Sequence, residues 1–238
     1  MTNTYRKFDR FRSRAAFTTF VDNFETLVAN RWVPSGVGTP GAQALNSDGG
    51  LNLVTSAANG DSNIIQRGIE SAATKTTTLK LQRGRKVSAV ARVEHADFAN
   101  MDIMFGVAPA LADPFACNAS AFVSLGTTLN QIKVGAETFT PDEAATLAAF
   151  RDKLGGIDFE FYWDGQGKIA LFAGGRRLGG KRGLTSFDAN GFLTGFTSPL
   201  SVSLGVRSRS ASAKTVVARQ IGYQYQIGQD IGVPTGAA

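Results

Sequence analysis

The sequence predicts an all-β fold, an antiparallel β-sandwich with one short helix and an extended N-terminal arm. Three observations predict it. Segment after segment of the 238-residue chain alternates apolar and polar residues, the period-two pattern of a strand with one buried face. The 27 glycines favour turns over long helices, while 17 phenylalanines and 43% hydrophobic residues supply a core. Roughly ten to twelve short strands, with no alternation of strand and helix, argue for a sandwich rather than a parallel sheet.

Taken in order, residues 1–16 read as an arm. Tyr5, Phe8 and Phe11 interleave with Arg6, Lys7, Arg10, Arg12 and Arg14, which suits a segment docking on an acidic, partly apolar neighbour; a solvated tail is the plainer alternative. Against Asp9 alone, these cations give the arm +4 and leave +2 of the net +6 for the rest of the chain. The positive charge is therefore a property of the leading segment, and no basic stripe on the body reads nucleic acid.

The sandwich is expected over residues 17–228. FTTFVDNFETLV, from Phe17, holds the first strand, and Asn30-Arg31-Trp32 opens a Pro/Gly-rich loop reaching Gly50. Strands follow at 51–55, 63–67, 76–81, 86–94 and 102–107, with weaker ones at 121–125 and 131–134. Thr140-Pro141-Asp142-Glu143 reads as a helix start, with Thr140 as cap, Pro141 in the first turn and Glu143 closing a capping box. The helix is expected over about 141–153, with Gly155 ending it.

The hairpin from Ile157 to Gly175 carries the clearest strand signal. Ile157, Phe159, Phe161 and Trp163 share one face, Asp158, Glu160 and Tyr162 the other, and Asp164-Gly165-Gln166-Gly167 turns the chain into 168–173. An inward Trp163 reads as core. A Gly/Arg-rich loop follows over 174–183, in which Arg176, Arg177, Lys181 and Arg182 form a possible basic contact. Strands at 200–206 and 214–226 complete the sheets, with Ile221, Tyr223 and Tyr225 on one side of the last; residues 229–238 read as a flexible tail.

This hairpin resembles a segment of the concanavalin A-like jelly rolls, the laminin-G, lectin and glucanase type. The resemblance rests on Trp163-Asp164-Gly165-Gln166-Gly167-Lys168-Ile169, then Leu171-Phe172, a Gly pair and Arg176. Asp22-Asn23-Phe24 with Trp32 resembles the opening strand of such domains, and Ile221-Gly222-Tyr223-Gln224-Tyr225 the closing strand beside it. The resemblance implies a fold over 17 to about 228, not an activity. Domains of this fold occur in carbohydrate-binding modules, endo-glucanases and structural proteins of phage particles.

Gly156-Ile157-Asp158-Phe159-Glu160-Phe161 resembles the glucanase motif Glu-x-Asp-x-Glu-Phe, with Gly156 where the nucleophile would stand. Asp158 and Glu160 match the helper and the acid/base. A retaining mechanism needs two carboxyl groups about 5–5.5 Å apart, so no catalytic set is expected.

Other candidates are weak. Gly36, Gly38 and Gly41 satisfy GxGxxG by letter, but Pro40 interrupts it and no strand-to-helix context surrounds it. Asn46, Asp48 and Asp61 in Gly-rich loops lack the spacing of a calcium loop. His95 is the only histidine and Cys117 the only cysteine, which gives no metal pair and no internal disulfide. No cofactor is expected. No run of roughly 20 apolar residues spans a bilayer, and the leading charges have no apolar segment behind them, so neither a membrane nor a secretory signal is read here.

The functional expectation is a non-enzymatic virion structural protein, a phage capsid decoration or auxiliary head protein anchored through its arm. Its partners would be the major capsid or other virion proteins, with the chain a homo-oligomer or present in many copies, in a virion assembled in the host cytoplasm. No specific nucleic acid is expected. The alternative is a lectin-like carbohydrate-binding module that meets a glycan, and behind it a degenerate glycoside hydrolase.

Overall fold

The computed structural model describes residues 17–39, 41, 43–69, 72–76, 81, 84–96, 98–109, 121–126, 131–140, 147–179, 187–188 and 200–226. Its strands are β1 (Phe17–Asp22), β2 (Trp32–Ser35), β3 (Ala44–Leu45), β4 (Leu51–Val54), β5 (Ser62–Ile69), β6 (Ala72–Thr76), β7 (Val87–Glu94), β8 (Met101–Ala108) and β9 (Ala121–Gly126). They continue as β10 (Gln131–Val134), β11 (Glu137–Phe139), β12 (Gly156–Trp163), β13 (Lys168–Ala173), β14 (Arg176–Arg177), β15 (Phe187–Asp188), β16 (Ser201–Ser208) and β17 (Thr215–Gln226).

Two antiparallel sheets result. Sheet one runs β14-β13-β12-β7-β17-β4-β3, with β1 also on β17 and β15 on β13; sheet two runs β11-β10-β9-β8-β16-β5-β2, with β6 on β5. The alternation read in the sequence becomes the core: Ile157, Phe159, Phe161 and Trp163 of sheet one meet Ile103, Phe105, Val107, Val202, Leu204 and Val206 of sheet two, all at most 1% exposed. Burying a large apolar side chain stabilises by roughly 1.5–3 kcal/mol. The opening and closing strands pair as the resemblance implied, with Phe20 opposite Tyr223 and Asp22 opposite Ile221.

The structure corrects the sequence reading in three places. Trp32 does not open a loop; it begins β2, paired with Arg67, and its indole donates to the buried Asp22 carboxylate at 2.9 Å. The helix over 141–153 is not formed as expected. Residues 141–146 lie outside those described, Leu147–Phe150 makes a single 3-10 turn, and 151–153 are not helical. The cause is a competing turn: the Asp152 amide donates to the Gly156 carbonyl at 2.8 Å, its carboxylate accepts from the Leu154 and Gly156 amides, and Gly155 adopts φ +83°. The strand expected at 76–81 lies earlier, at β6, with Leu81 outside any strand and 77–80 outside the described residues.

Candidate functional site

The outward face of sheet one gathers the residues singled out for chemistry. Alternation turns Asp158, Glu160 and Tyr162 of β12 away from the core. Pairing places them opposite Arg92, Val90 and Ser88 of β7. On β17 the same rows continue as Gln220, Gly222 and Gln224, and on β1 as Val21 opposite Gly222 and Thr19 opposite Gln224. On the other side, Phe172 and Ala170 of β13 face Glu160 and Tyr162. The result is a strip with Val90 and the side-chain-free Gly222 at its middle, flanked by an aromatic ring, carboxamides and carboxylates. From Asp158 to Tyr162 it is about 13 Å long at the usual strand rise. The Oε1 of Gln224, 9% exposed, is buried without a hydrogen-bond partner.

Arg92 dominates one end of the strip. Its Nη1 lies 2.8 Å from Asp152 and 3.4 Å from Asp158, and its Nε 3.2 Å from Glu94. Glu94 in turn holds Arg219 at 2.6 Å, and Arg219 donates to the backbone carbonyls of Asp48 and Gly49. Burial disfavours the Arg92 charge, but the hydrogen bond to Asp152 and the field of Asp158 outweigh it, and the guanidinium is held above its ordinary pKa. The same hydrogen bond, opposed by slight burial and aided by the Gly156 and Leu154 amides, lowers Asp152 to about 2. Tyr162 is raised, by burial first and then by the charge of Asp164.

This network bears directly on the glucanase-like motif. A Cβ added at Gly156 would sit 2.6 Å from Arg92 Cζ. A side chain at the nucleophile's position and Arg92 in its present place are therefore mutually exclusive. Installing one requires the guanidinium, the far end of a flexible side chain, to shift. The helper-like Asp158 is also spoken for, as an ion-pair partner. The face offers hydrogen-bonding groups and ring contact, and at position 156, where the motif has its nucleophile, it carries no side chain.

The remaining sequence candidates disperse. Arg176 and Arg177 are exposed, but they form the two-residue strand β14 on β13 rather than a loop, and Arg177 lies 5.9 Å over the Phe172 ring. Lys181 and Arg182 lie outside the described residues, as do Cys117, the whole arm with Tyr5, Arg6, Lys7, Phe8, Arg10, Phe11, Arg12 and Arg14, and the tail 229–238. Of the GxGxxG letters, those described follow β2: Val37 and Ser62 exchange hydrogen bonds at 3.0 Å, and β3 rather than a helix comes next among the described elements. His95 Nδ1 accepts from the Phe98 amide at 3.1 Å and fastens the β7–β8 turn. Among the described residues no group of three or more His, Cys, Asp or Glu is placed to hold a metal ion. None of their helices is long and apolar enough to cross a membrane.

Sequence reasoning missed Arg92. Its place on the polar face of β7 was legible, but its partners are 60 and 66 residues away in sequence, and only the β7–β12 register brings them together.

No protein-family model matches the chain, and no curated protein matches it by sequence. Solved structures do match in shape. Peanut lectin superposes with a TM-score of 0.56 at 10% identity, covering 90% of this chain and 100% of the lectin. Arcelin-5, a lectin-like defense protein from Phaseolus vulgaris, gives 0.55 at 12% identity over 90% of this chain and 100% of its own. A glycoside hydrolase family 16 endo-glucanase from Bacteroides ovatus gives 0.54 at 10% identity over 85% of this chain and 98% of the enzyme. The fold is therefore a concanavalin A-like β-sandwich, as the hairpin and the paired chain ends had implied.

Proposed function

We propose that the chain is a non-enzymatic binding module of the carbohydrate-binding type, and that a glycan lies along the outward face of sheet one. The observation that carries this is Arg92, which fills the space a nucleophile would need and leaves Tyr162, Glu160, Phe172, Gln220 and Gln224 as a face fit for recognition. Aromatic and carboxamide side chains beside an apolar floor suit a ligand with both ring faces and hydroxyls. The likeness to lectin and glucanase sandwiches supports the reading at the level of fold. On a glycan array the protein is expected to bind a restricted set of saccharides, with the signal lost in Tyr162→Ala; binding unchanged by that substitution speaks against the strip as the site.

A second reading, compatible with the first, places the module on a phage particle as a decoration or auxiliary head protein held by residues 1–16. The composition of the arm supports it: five cations and three aromatics within 14 residues suit an acidic, partly apolar groove on a capsid or other virion protein. Many copies on a symmetric particle would add modest contacts into firm attachment. Deleting residues 1–14 should leave circular dichroism unchanged and release the protein from purified particles. Retention of the truncated protein on those particles contradicts the reading.

A further inference from the structure

The register of sheet one lines up its outward side chains in rows that cross the strands. One row runs Phe172, Glu160, Val90, Gly222 and Val21. The next, two residues along each strand and about 7 Å away, runs Ala170, Tyr162, Ser88, Gln224 and Thr19. Gly222 pairs in continuous register with Val90 on one side and Val21 on the other, so neither a turn nor a bulge calls for glycine at that point. Inside a strand a glycine costs stability, and it often marks where a ligand comes close to the backbone. Here it leaves a low spot in the face, bordered by the side chains of Val90, Val21 and Gln224. Gln224 is 9% exposed, and its Oε1 is buried without a hydrogen-bond partner. A buried acceptor with no donor is costly, and in a binding face it suits a ligand that brings one. The last torsion of a glutamine is broad, so the carboxamide turns at little cost to meet a group seated over Gly222.

We propose that this low spot receives an acetamido group, and that the glycan held on the face is built from 2-acetamido sugars. The inference rests on the glycan-face reading above and names the class of ligand. An acetamido group carries both things the spot calls for. Its methyl gains by covering Val90 and Val21, and the N–H beside it donates to Gln224 Oε1. A hydroxyl at the same sugar carbon brings a donor but leaves the two valines uncovered. A free amine brings donors too, but its charge would lose water over an apolar floor. A carboxylate or sulfate has no donor for the oxygen and would stand in the same row as Glu160.

The test is calorimetric titration of the full-length protein with three trisaccharides of one backbone: triacetylchitotriose, its deacetylated form and cellotriose. They carry an acetamido, an amino and a hydroxyl group at the same carbon. Triacetylchitotriose is expected to bind at least about tenfold more tightly than either of the others, as a covered methyl and a newly satisfied acceptor together imply. Gln224→Leu replaces the acceptor by an apolar side chain, and the acetamido preference should fall to within about twofold. Gly222→Val fills the low spot with a strand-favouring residue; it should keep or raise the melting temperature while weakening triacetylchitotriose about tenfold or more. The two variants remove the acceptor and the room separately, so a fold defect in one, seen as a lowered melting temperature, leaves the other to decide. Equal affinity for triacetylchitotriose and cellotriose, lost for both in Tyr162→Ala, overturns the acetamido inference and leaves the face as the glycan site. A preference that survives both Gln224→Leu and Gly222→Val also overturns it, as does tighter binding of the deacetylated trimer. Binding of none of the three removes the inference alone, whereas binding that Tyr162→Ala leaves unchanged removes the face reading with it.

Discussion

Strands β8 and β12 are both eight residues long and both alternate, yet they end in opposite surroundings. On β12 the inward residues are buried and Asp158, Glu160 and Tyr162 remain partly exposed. On β8 every residue is buried: Ile103, Phe105 and Val107 face the common core, while Asp102, Met104 and Ala108 on the outward side are also 0% exposed. Met104 and Ala108 join Ile64 and Phe122 in a second apolar cluster apart from the main core, and Asp102 is ion-paired to Arg209. The outward side of β8 is thus an interior, and that of β12 a surface. The difference teaches where to look for function: the outward residues of β8 are shut inside the fold, whereas Asp158, Glu160 and Tyr162 of β12 are within reach of a ligand.

The sharpest way to break this comparison is to truncate matched residues on the two outward faces. Phe122→Ala on sheet two should cost about 3–5 kcal/mol, as burial in a closed cluster implies, whereas Phe172→Ala on sheet one should cost well under half of that; chemical denaturation measures both. Equal costs would mean that the two faces are alike. Next in size is Arg92→Ala, which removes its pairs with Asp158 and Asp152, both partly exposed, and should cost about 1 kcal/mol or less. Gly156→Ala should move stability the same way by evicting the guanidinium, and little further loss is expected when both changes are combined.

A smaller effect concerns pH. The folded-state pKa of Asp152 is depressed to about 2 from the ordinary 3.8, so its contribution is present in full above about pH 4 and is lost as pH falls towards 2. Asp152→Asn should therefore lower the melting temperature at pH 5–7 and converge on the parent protein near pH 2. A constant offset across that range contradicts the ion-pair account. The side chain is 42% exposed, so the shift is expected to be modest.

The same two strands explain what was legible in the sequence. GIDFEFYW spells its outcome in full, because a strand with one wet face must alternate in polarity. MDIMFGVA spells only half of it, since Met104 and Ala108 are apolar on the outward side and a run with few polar residues reads as strand without saying what covers it. The chain ends were readable because Asp22 and Trp32 form a local pair, ten residues apart. The helix over 141–153 was misread where Asp152 and Gly155 offered the backbone a turn instead, a competition that capping letters do not reveal. Gly156 was recognised as a missing nucleophile, but the group that lies over it came from across the sheet, in Arg92, and strand register is not a property of either strand alone.

The claim at the centre of this account is that the sheet-one face binds without cleaving. It is tested most directly by one NMR titration with an oligosaccharide selected on the array, following protein amides and sugar anomeric signals together. The account predicts shifts confined to residues 19–21, 88–92, 158–162, 170–172 and 219–225, with the sugar signals unchanged over days. New reducing-end signals that vanish in Glu160→Gln, or shifts lying elsewhere on the sandwich, would contradict it.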